Sequence, residues 1–249
     1  MRAKSERLAA LAGAATLIAV WKLASLGIGK DIILPPPERV LARAAALLSS
    51  TDFLAALLAT MARGLAAFLL SMLAGTSIGA ACGASPRFEA FVSPLLSTVR
   101  AMPVIALILL FLFWFGVGVV PVFAAFLMAF PVVAAQVAEG WRATDPGLLE
   151  MASLFRTERR AVLLGLRLPS MTGHLAAAAQ SAIGLSWKVV IAGEVLSQPA
   201  LALGTGLQER RLMLDTSGVF AWAAAGIVLC ASSDAIFRAA RRGLARHGL

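Results

Sequence analysis

Lys188 and Glu194 stand six positions apart inside one apolar run, with Trp187 beside the lysine. That interval is somewhat less than two helical turns, so the two are not an i, i+4 ion pair. Charges embedded in hydrocarbon mark ligand or ion pathways unless a protein partner neutralises them. Two readings stand side by side for Lys188. It could line a pathway and attract an anion, or it could pair with a helix carbonyl or a charge on a second chain. Glu194 lies near the end of its run, where contact with another protein or loop is as open as contact with a ligand. Arg63 and Arg100 also fall in apolar runs and read as anchors near an interface. His174 is the lone histidine of these runs and reads as a structural residue. Ser233-Asp234 reads as a polar helix contact, because no serine or aspartate is placed in a nucleophile–base pattern. Cys82 and Cys230 form no CxxC or Cys/His cluster, so neither zinc nor a disulfide framework is expected.

The elements that must position these groups are membrane helices. The 249 residues are 60% hydrophobic and 14% charged. Soluble domains are about 45–50% apolar and about 25% charged. Mean hydropathy is +0.87. Runs of about 20 apolar residues suffice to cross about 30 Å of hydrocarbon. The periodicity predicts an all-α polytopic membrane protein, a single domain over 1–249 with spans near 8–28, 53–82, 95–115, 119–137, 171–196 and 218–237. The first run is read as an uncleaved span, since no clear small-residue cleavage pattern follows it. Leu34-Pro35-Pro36-Pro37 predicts an extended entry, and Val40, Leu41, Ala44, Ala45, Leu47 and Leu48 a short interfacial helix. Gly75, Gly79 and Gly83 repeat at four-residue spacing, which predicts close approach by another helix. Pro131 is expected to kink its span or leave a carbonyl unpaired.

The longest polar interruption is 139–169. Asp145-Pro146 is a helix start, with a capping carboxylate followed by a proline tolerated at N1. Leu148, Met151, Ala152 and Phe155 then follow at i, i+3, i+4 and i+7, one apolar stripe suited to docking. With six spans, both termini and this loop share a side. That side holds 13 of the 22 basic residues: Arg2, Lys4, Arg7, Arg87, five in 139–169 (Arg142, Arg156, Arg159, Arg160, Arg167) and four in the tail (Arg238, Arg241, Arg242, Arg246). The excess places the loop and both termini in the cytoplasm. The net charge of +9 is thus distributed as flanking charge. It forms no basic stripe interleaved with aromatics, which argues against nucleic acid.

Within that loop, Glu150-Met151-Ala152 followed by Leu168-Pro169 resembles the EAA loop of binding-protein-dependent ABC importer permeases. Met151 stands where that pattern has alanine, and Arg156 where it has glycine. Glycine permits a left-handed turn that arginine adopts only at a cost, so an ordinary helical Arg156 would let two short helices run together. Leu34-Pro35 with Pro37, Arg63-Gly64, Arg100 to Pro103, Phe113 to Gly118, Trp187, Glu194, Gly204 with Gly206, and Leu214-Asp215-Thr216 resemble the nitrate, sulfonate and taurine branch in order and spacing. The resemblance implies a type I importer permease that dimerises with a second permease copy in the inner membrane. It implies partners in a cytoplasmic ABC ATPase dimer and an extracytoplasmic substrate-binding protein. Leu148, Glu150, Met151, Ala152, Phe155, Arg156, Leu168 and Pro169 would contact the ATPase. Arg100, Met102, Pro103, Trp187, Lys188 and Glu194 are the translocation-pathway candidates. ATP and Mg are expected in the partner, since Gly27-Ile28-Gly29-Lys30 is followed by Asp31 and no GxxxxGK[ST] stretch occurs. The expected substrate is a small anion such as nitrate, a sulfonate, taurine or bicarbonate, with a neutral vitamin precursor or heterocycle as the alternative. Two other classes compete. An intramembrane enzyme would use His174 with Asp145 or Asp234, and a secondary transporter or channel would need acidic relays at the bilayer centre.

Overall fold

The computed structural model describes the backbone of residues 2–246 and the side chains of 8–9 and 11–239. The basic side chains of Arg2, Lys4, Arg7, Arg241, Arg242 and Arg246, which entered the charge count, lie outside the described residues. All regular elements among the described residues are helical: α1 Arg2–Ile28, α2 Pro37–Leu47, α3 Thr51–Ala84, α4 Pro86–Ala101, α5 Val104–Phe111, α6 Val120–Arg142, α7 Pro146–Leu154, α8 Arg159–Val162, a π-helical turn Leu163–Arg167, α9 Leu168–Ser197, α10 Leu203–Leu212 and α11 Thr216–Arg246. Five helical stretches, at 11–28, 51–84, 120–142, 159–197 and 216–239, are long and apolar enough to cross a membrane, and α4 with α5 supplies a bent sixth.

Three helices, α3, α6 and α9, form the centre, and small residues set their spacing. A Cβ on Gly75 would lie 2.5 Å from the Val133 Cβ, one on Gly79 2.5 Å from the Ala134 carbonyl oxygen, and one on Gly83 2.5 Å from the Trp141 Cβ. The four-residue glycine row therefore does what its spacing predicts, bringing backbones to contact. Because 75, 79 and 83 meet 133, 134 and 141 in the same order, α3 and α6 run parallel. Gly140 abuts His174 and Gly193 abuts Pro121, so α9 runs antiparallel to α6. His174 thereby packs as an interhelical spacer.

Parallel α3 and α6 require the chain between them to return across the bundle. That return corrects the expected single span over 95–115. The stretch belongs instead to α4 and α5, which meet at 93°. Pro103 is the cause. It has no amide to donate, and it biases the preceding residue away from helix; Met102 accordingly takes φ −70°, ψ 131°. Pro131 leaves α6 unbroken. In the turn before it, the buried Ser71 hydroxyl shares its proton between the Ala67 carbonyl of its own helix (2.7 Å) and the Phe126 carbonyl (3.3 Å).

The bundle end remote from α7 is laced by polar contacts. Trp21 donates to the Pro35 carbonyl (3.1 Å) and stacks on Phe220. Pro36 caps α2 in the extended conformation that the proline run predicts. Arg43 reaches Asp215 (3.0 Å) and Thr216 donates to the Ile32 carbonyl (2.6 Å), tying α2 and its entry to the start of α11. Burial opposes ionisation of Asp215, but the Gly218 amide, Arg43 and Arg210 outweigh it and hold its carboxyl below the usual carboxylate range.

The seam gives a direct test. Gly79→Val places branched carbons against the α6 backbone, and overpacking of this kind costs about 1–3 kcal/mol or more. The variant should show a clearly lowered thermal midpoint in detergent, while Gly13→Val, whose added Cβ meets nothing within 4 Å, should leave it unchanged.

Candidate functional site

The polar interruption folds into two short helices projecting beyond α6 and α9. Asp145 caps α7 as its sequence predicts, its Oδ1 accepting from the Gly147 amide at 2.7 Å, with Pro146 at the first helical position. The predicted apolar stripe divides. Ala152 is buried against the bundle, whereas Leu148, Met151 (48% exposed) and Phe155 (77%) face outward, joined by Leu154 (81%). Leu154 lay outside the i, i+3, i+4, i+7 pattern, which a nine-residue helix is too short to impose strictly. Glu150 is also exposed. The outward surface of α7 is thus apolar with a carboxylate on it.

Arg156 settles the shape of the turn. Its φ is 50°, in the left-handed region. The Thr157 amide bonds back to the Ala152 carbonyl (2.9 Å) and the Arg156 amide to Ser153 (3.1 Å). These are the two bonds of a Schellman motif, with arginine at the position glycine usually takes. The two helices therefore do not run together, because closing two orphan carbonyls holds Arg156 in a conformation it would otherwise avoid. Behind the turn, Trp141, Leu149, Thr157, Arg159 and Val162 help line a cavity of about 500 Å3. Arg167 lies over the Trp141 ring (4.4 Å) and donates to the Trp141 carbonyl (3.0 Å), fixing the return into α9. Leu168 and Pro169 follow directly, both exposed, at the start of α9. The π-helical turn just before them gives a wider ring where Pro169 cannot donate an amide hydrogen bond.

The pathway candidates do not gather at one place. Arg100, Met102 and Pro103 are exposed at the α4–α5 bend, with Arg100 reaching back to the Leu96 carbonyl (3.4 Å). Trp187 is buried. Its ring packs on Gly64 with no room for a Cβ, and its Nε1 donates to Ser233 (2.8 Å). Ser233 is the helix contact its setting predicts. Glu194 is fully enclosed, and its partners are all within the chain: the Thr60 hydroxyl at 2.9 Å, Arg63 at 2.8 Å and the Gly204 amide at 3.1 Å. Arg63 also donates to the Leu201 carbonyl (2.9 Å), and the Leu203 amide donates to Thr60 (2.9 Å). Glu194 and Trp187 thus join α3, α9, α10 and α11, and neither lines any of the three cavities described here. Of the six, Lys188 lines two of the three cavities described here. Its exposed side chain rims two, one of about 490 Å3 and one of about 370 Å3.

Sequence reasoning missed Thr60 and the whole of α10. The available signal was Gly204 with Gly206. A Cβ on Gly204 would lie 2.5 Å from the Glu194 Cβ, and one on Gly206 would collide with Trp222.

A bundle of membrane-crossing helices with a projecting two-helix loop and small-residue seams defines a polytopic transport subunit. The chain belongs to the binding-protein-dependent transport system inner membrane component family, whose sequence profile matches residues 71–246. It is 26% identical over 237 residues to the taurine transport system permease protein TauC of Escherichia coli, covering 92% of this chain and 86% of that one. It is 26% identical over 219 residues to the putative aliphatic sulfonates transport permease protein SsuC of Bacillus subtilis, covering 87% and 78%. It is 29% identical over 210 residues to the formylaminopyrimidine transport permease protein ThiX of Halalkalibacterium halodurans, covering 82% of each. The relatives are transport permeases rather than enzymes.

Two outcomes follow for the site. Arg156→Gly should stabilise the protein by about 0.5–1 kcal/mol, relief of a left-handed side chain being partly offset by a freer unfolded chain, and Arg156→Val should destabilise it, read by thermal unfolding. Glu194→Ala should cost about 3 kcal/mol, the low end for breaking a buried pair because Arg63 keeps some solvent contact, with Glu194→Gln losing less by the same measurement.

Proposed function

We propose that this chain is the transmembrane subunit of an ATP-driven importer, working as a dimer with a second permease copy. In this reading α7 and both termini are cytoplasmic. The outward surface of α7, with Leu148, Glu150, Met151, Leu154 and Phe155, seats in a groove of a cytoplasmic ATPase that binds ATP and Mg. Leu168 and Pro169 mark where that element joins α9. A substrate-binding protein delivers cargo to the opposite face. The observation that carries this is an apolar, unburied helix surface held rigid by a Schellman turn at a residue poorly suited to it. A soluble-facing helix end has no reason of its own to expose Met151, Leu154 and Phe155 together.

The proposed cargo is a small sulfonate or a related anion, in line with what the names of two relatives state for those proteins. A second reading, a neutral pyrimidine-type heterocycle, is favoured by the ThiX similarity. Thermal-shift screening of the cognate binding protein separates them, a result with uncharged ligands alone overturning the anion.

Coupling is tested on the reconstituted complex in nanodiscs. Glu150→Ala and Met151→Asp should each lower binding-protein-stimulated ATP hydrolysis and uptake together by about tenfold, equal to about 1.4 kcal/mol of lost coupling. Unchanged hydrolysis and uptake in both variants would overturn α7 as the docking element.

A further inference from the structure

The cavity of about 500 Å3 behind the α7 turn carries cations without a counterion. Arg159 and Arg167 both line it, and no acidic residue does. Neither guanidinium makes an ion pair with a described residue. Arg167 gives one N–H to the Trp141 carbonyl (3.0 Å) while lying over that ring (4.4 Å), which leaves most of its five N–H groups free. Ser153 gives its proton to the Glu150 carbonyl (2.7 Å), so of the two hydroxyls on the wall Thr157 is the one left to donate. Leu149, Ala152, Val162 and Leu163 make the rest of the wall apolar. The depth of the cavity follows from the helix contacts. The Pro121–Gly193 and Gly140–His174 contacts bracket about 19 residues of α6 and α9, or about 29 Å at 1.5 Å per residue, which matches a hydrocarbon layer of about 30 Å. Trp141 then sits at the edge of that layer, the depth tryptophans favour. Arg167 starts about 10 Å further on, past a headgroup layer of about 5–8 Å. The cavity therefore faces water rather than lipid.

We propose that this cavity is a regulatory site for a small soluble anion with an apolar body. The carboxylate or phosphate head sits on Arg159, Arg167 and the Thr157 hydroxyl, and the body lies against Leu149, Val162 and Leu163. A guanidinium fork matches either head. A neutral ligand would gain only the wall, and a bare inorganic anion only the arginines. Ligand pockets typically span about 300–1,000 Å3, so a two-ring body fits. The regulatory role rests on the importer reading, in which this end is cytoplasmic and α7 meets the ATPase. The walls come from α7, from the end of α6 at Trp141 and from the 159–167 segment that leads into α9. An occupant touching all three holds α7 fixed against the bundle, so it inhibits a cycle in which α7 moves.

The test uses the purified permease–ATPase complex in phosphatidylcholine nanodiscs, with thermal midpoints titrated against millimolar 2-naphthoate, 2-naphthyl phosphate, 2-naphthylmethanol and acetate. The two naphthyl anions should raise the midpoint, and the alcohol and acetate should not. Arg159→Gln should weaken the apparent affinity for 2-naphthoate by about tenfold. Val162→Phe, which fills part of the space, should abolish the shift, and both variants should keep the ligand-free midpoint. Binding-protein-stimulated ATP hydrolysis should fall at least about twofold at saturating 2-naphthoate in the wild type and hold in Arg159→Gln. Equal shifts from 2-naphthoate and 2-naphthylmethanol, or an Arg159→Gln variant that responds like the wild type, overturn the site. A shift that leaves hydrolysis unchanged overturns its regulatory role. Nanodiscs of phosphatidylglycerol separate the sources of the anion: an Arg159-dependent rise from that lipid, to which 2-naphthoate adds nothing, assigns the cavity to a lipid headgroup and overturns the soluble ligand. ATP-driven uptake measured in parallel keeps the two readings apart. Uptake without a 2-naphthoate shift sinks this site alone, and an Arg159-dependent shift without ATP-dependent uptake sinks the importer.

Discussion

A carboxylate withdrawn from water costs several kilocalories per mole unless its lone pairs are filled. Inside a bilayer no solvent can fill them. Glu194 is withdrawn from solvent in this way, and the bundle end remote from α7 is arranged around it. Thr60 and Arg63 come from α3, the Gly204 amide from the N-terminal turn of α10, and the carboxylate itself from α9. The amide belongs to a helix start, where N–H groups lack intrahelical acceptors and the dipole favours an anion. Each side thus answers the other's deficit: the helix end needs acceptors and the carboxylate needs donors. Arg63 extends the arrangement by holding the Leu201 carbonyl, so the 198–202 connection is fixed as well. Beside these bonds, α10 is held by Gly206 against Trp222, by Leu203 and Leu207 in an apolar cluster, and by the Thr205 hydroxyl donating to the Pro199 carbonyl.

Fixing α10 has a consequence for the cavities. The apolar one lies between α9, α10 and α11 and ends at Lys188, six residues before Glu194 on the same helix. Two charged residues on α9 therefore divide their work by environment. Glu194, enclosed and bonded within the chain, sets where α10 sits, and Lys188, exposed and unpaired among the described residues, borders two cavities. Their six-residue spacing, which rules them out as partners, puts them on different sides of α9. That is why one can be structural while the other stays open.

Much of this was legible in the sequence. The glycine row 75, 79, 83 announced the α3–α6 seam, because spacing alone decides which face is small. The Asp145-Pro146 start was legible too, because capping is local chemistry. What escaped were features decided by tertiary context. The 95–115 run is apolar apart from Ser97, Thr98 and Arg100, so hydropathy reads one span; the backbone preference imposed by Pro103 breaks it, and hydropathy does not carry that information. Glu194 looked accessible because it is near the end of its run. Its burial depends on Thr60, more than 130 residues earlier in the chain, and on a helix whose own pattern is too short and polar to announce itself. Arg156 shows the reverse situation. Residue preference argued against the turn, yet two carbonyl bonds and the geometry of the following chain imposed it, a local propensity overridden by its surroundings.

The same α9 connects both ends of the molecule. From Arg159 to Ser197 the chain is one helical stretch of 39 residues, entered through the π-helical turn at Leu163–Arg167. Close-packed helices move as bodies rather than deform continuously. A displacement of α7 is passed through the Schellman turn to α8 and the base of α9, which Arg167 anchors to Trp141 at the end of α6. Along its length α9 is pinned to α6 at Gly140–His174 and at Pro121–Gly193, close contacts with no slack for sliding. A tilt of α9 must therefore carry α6 with it, and through the glycine seam α3. The element left behind is α11, which meets α9 through side chains, Trp187 to Ser233 among them, and encloses with it the space between Lys188 and Asp234. A movement started at the exposed helix would thus bear on the gap between α9 and α11.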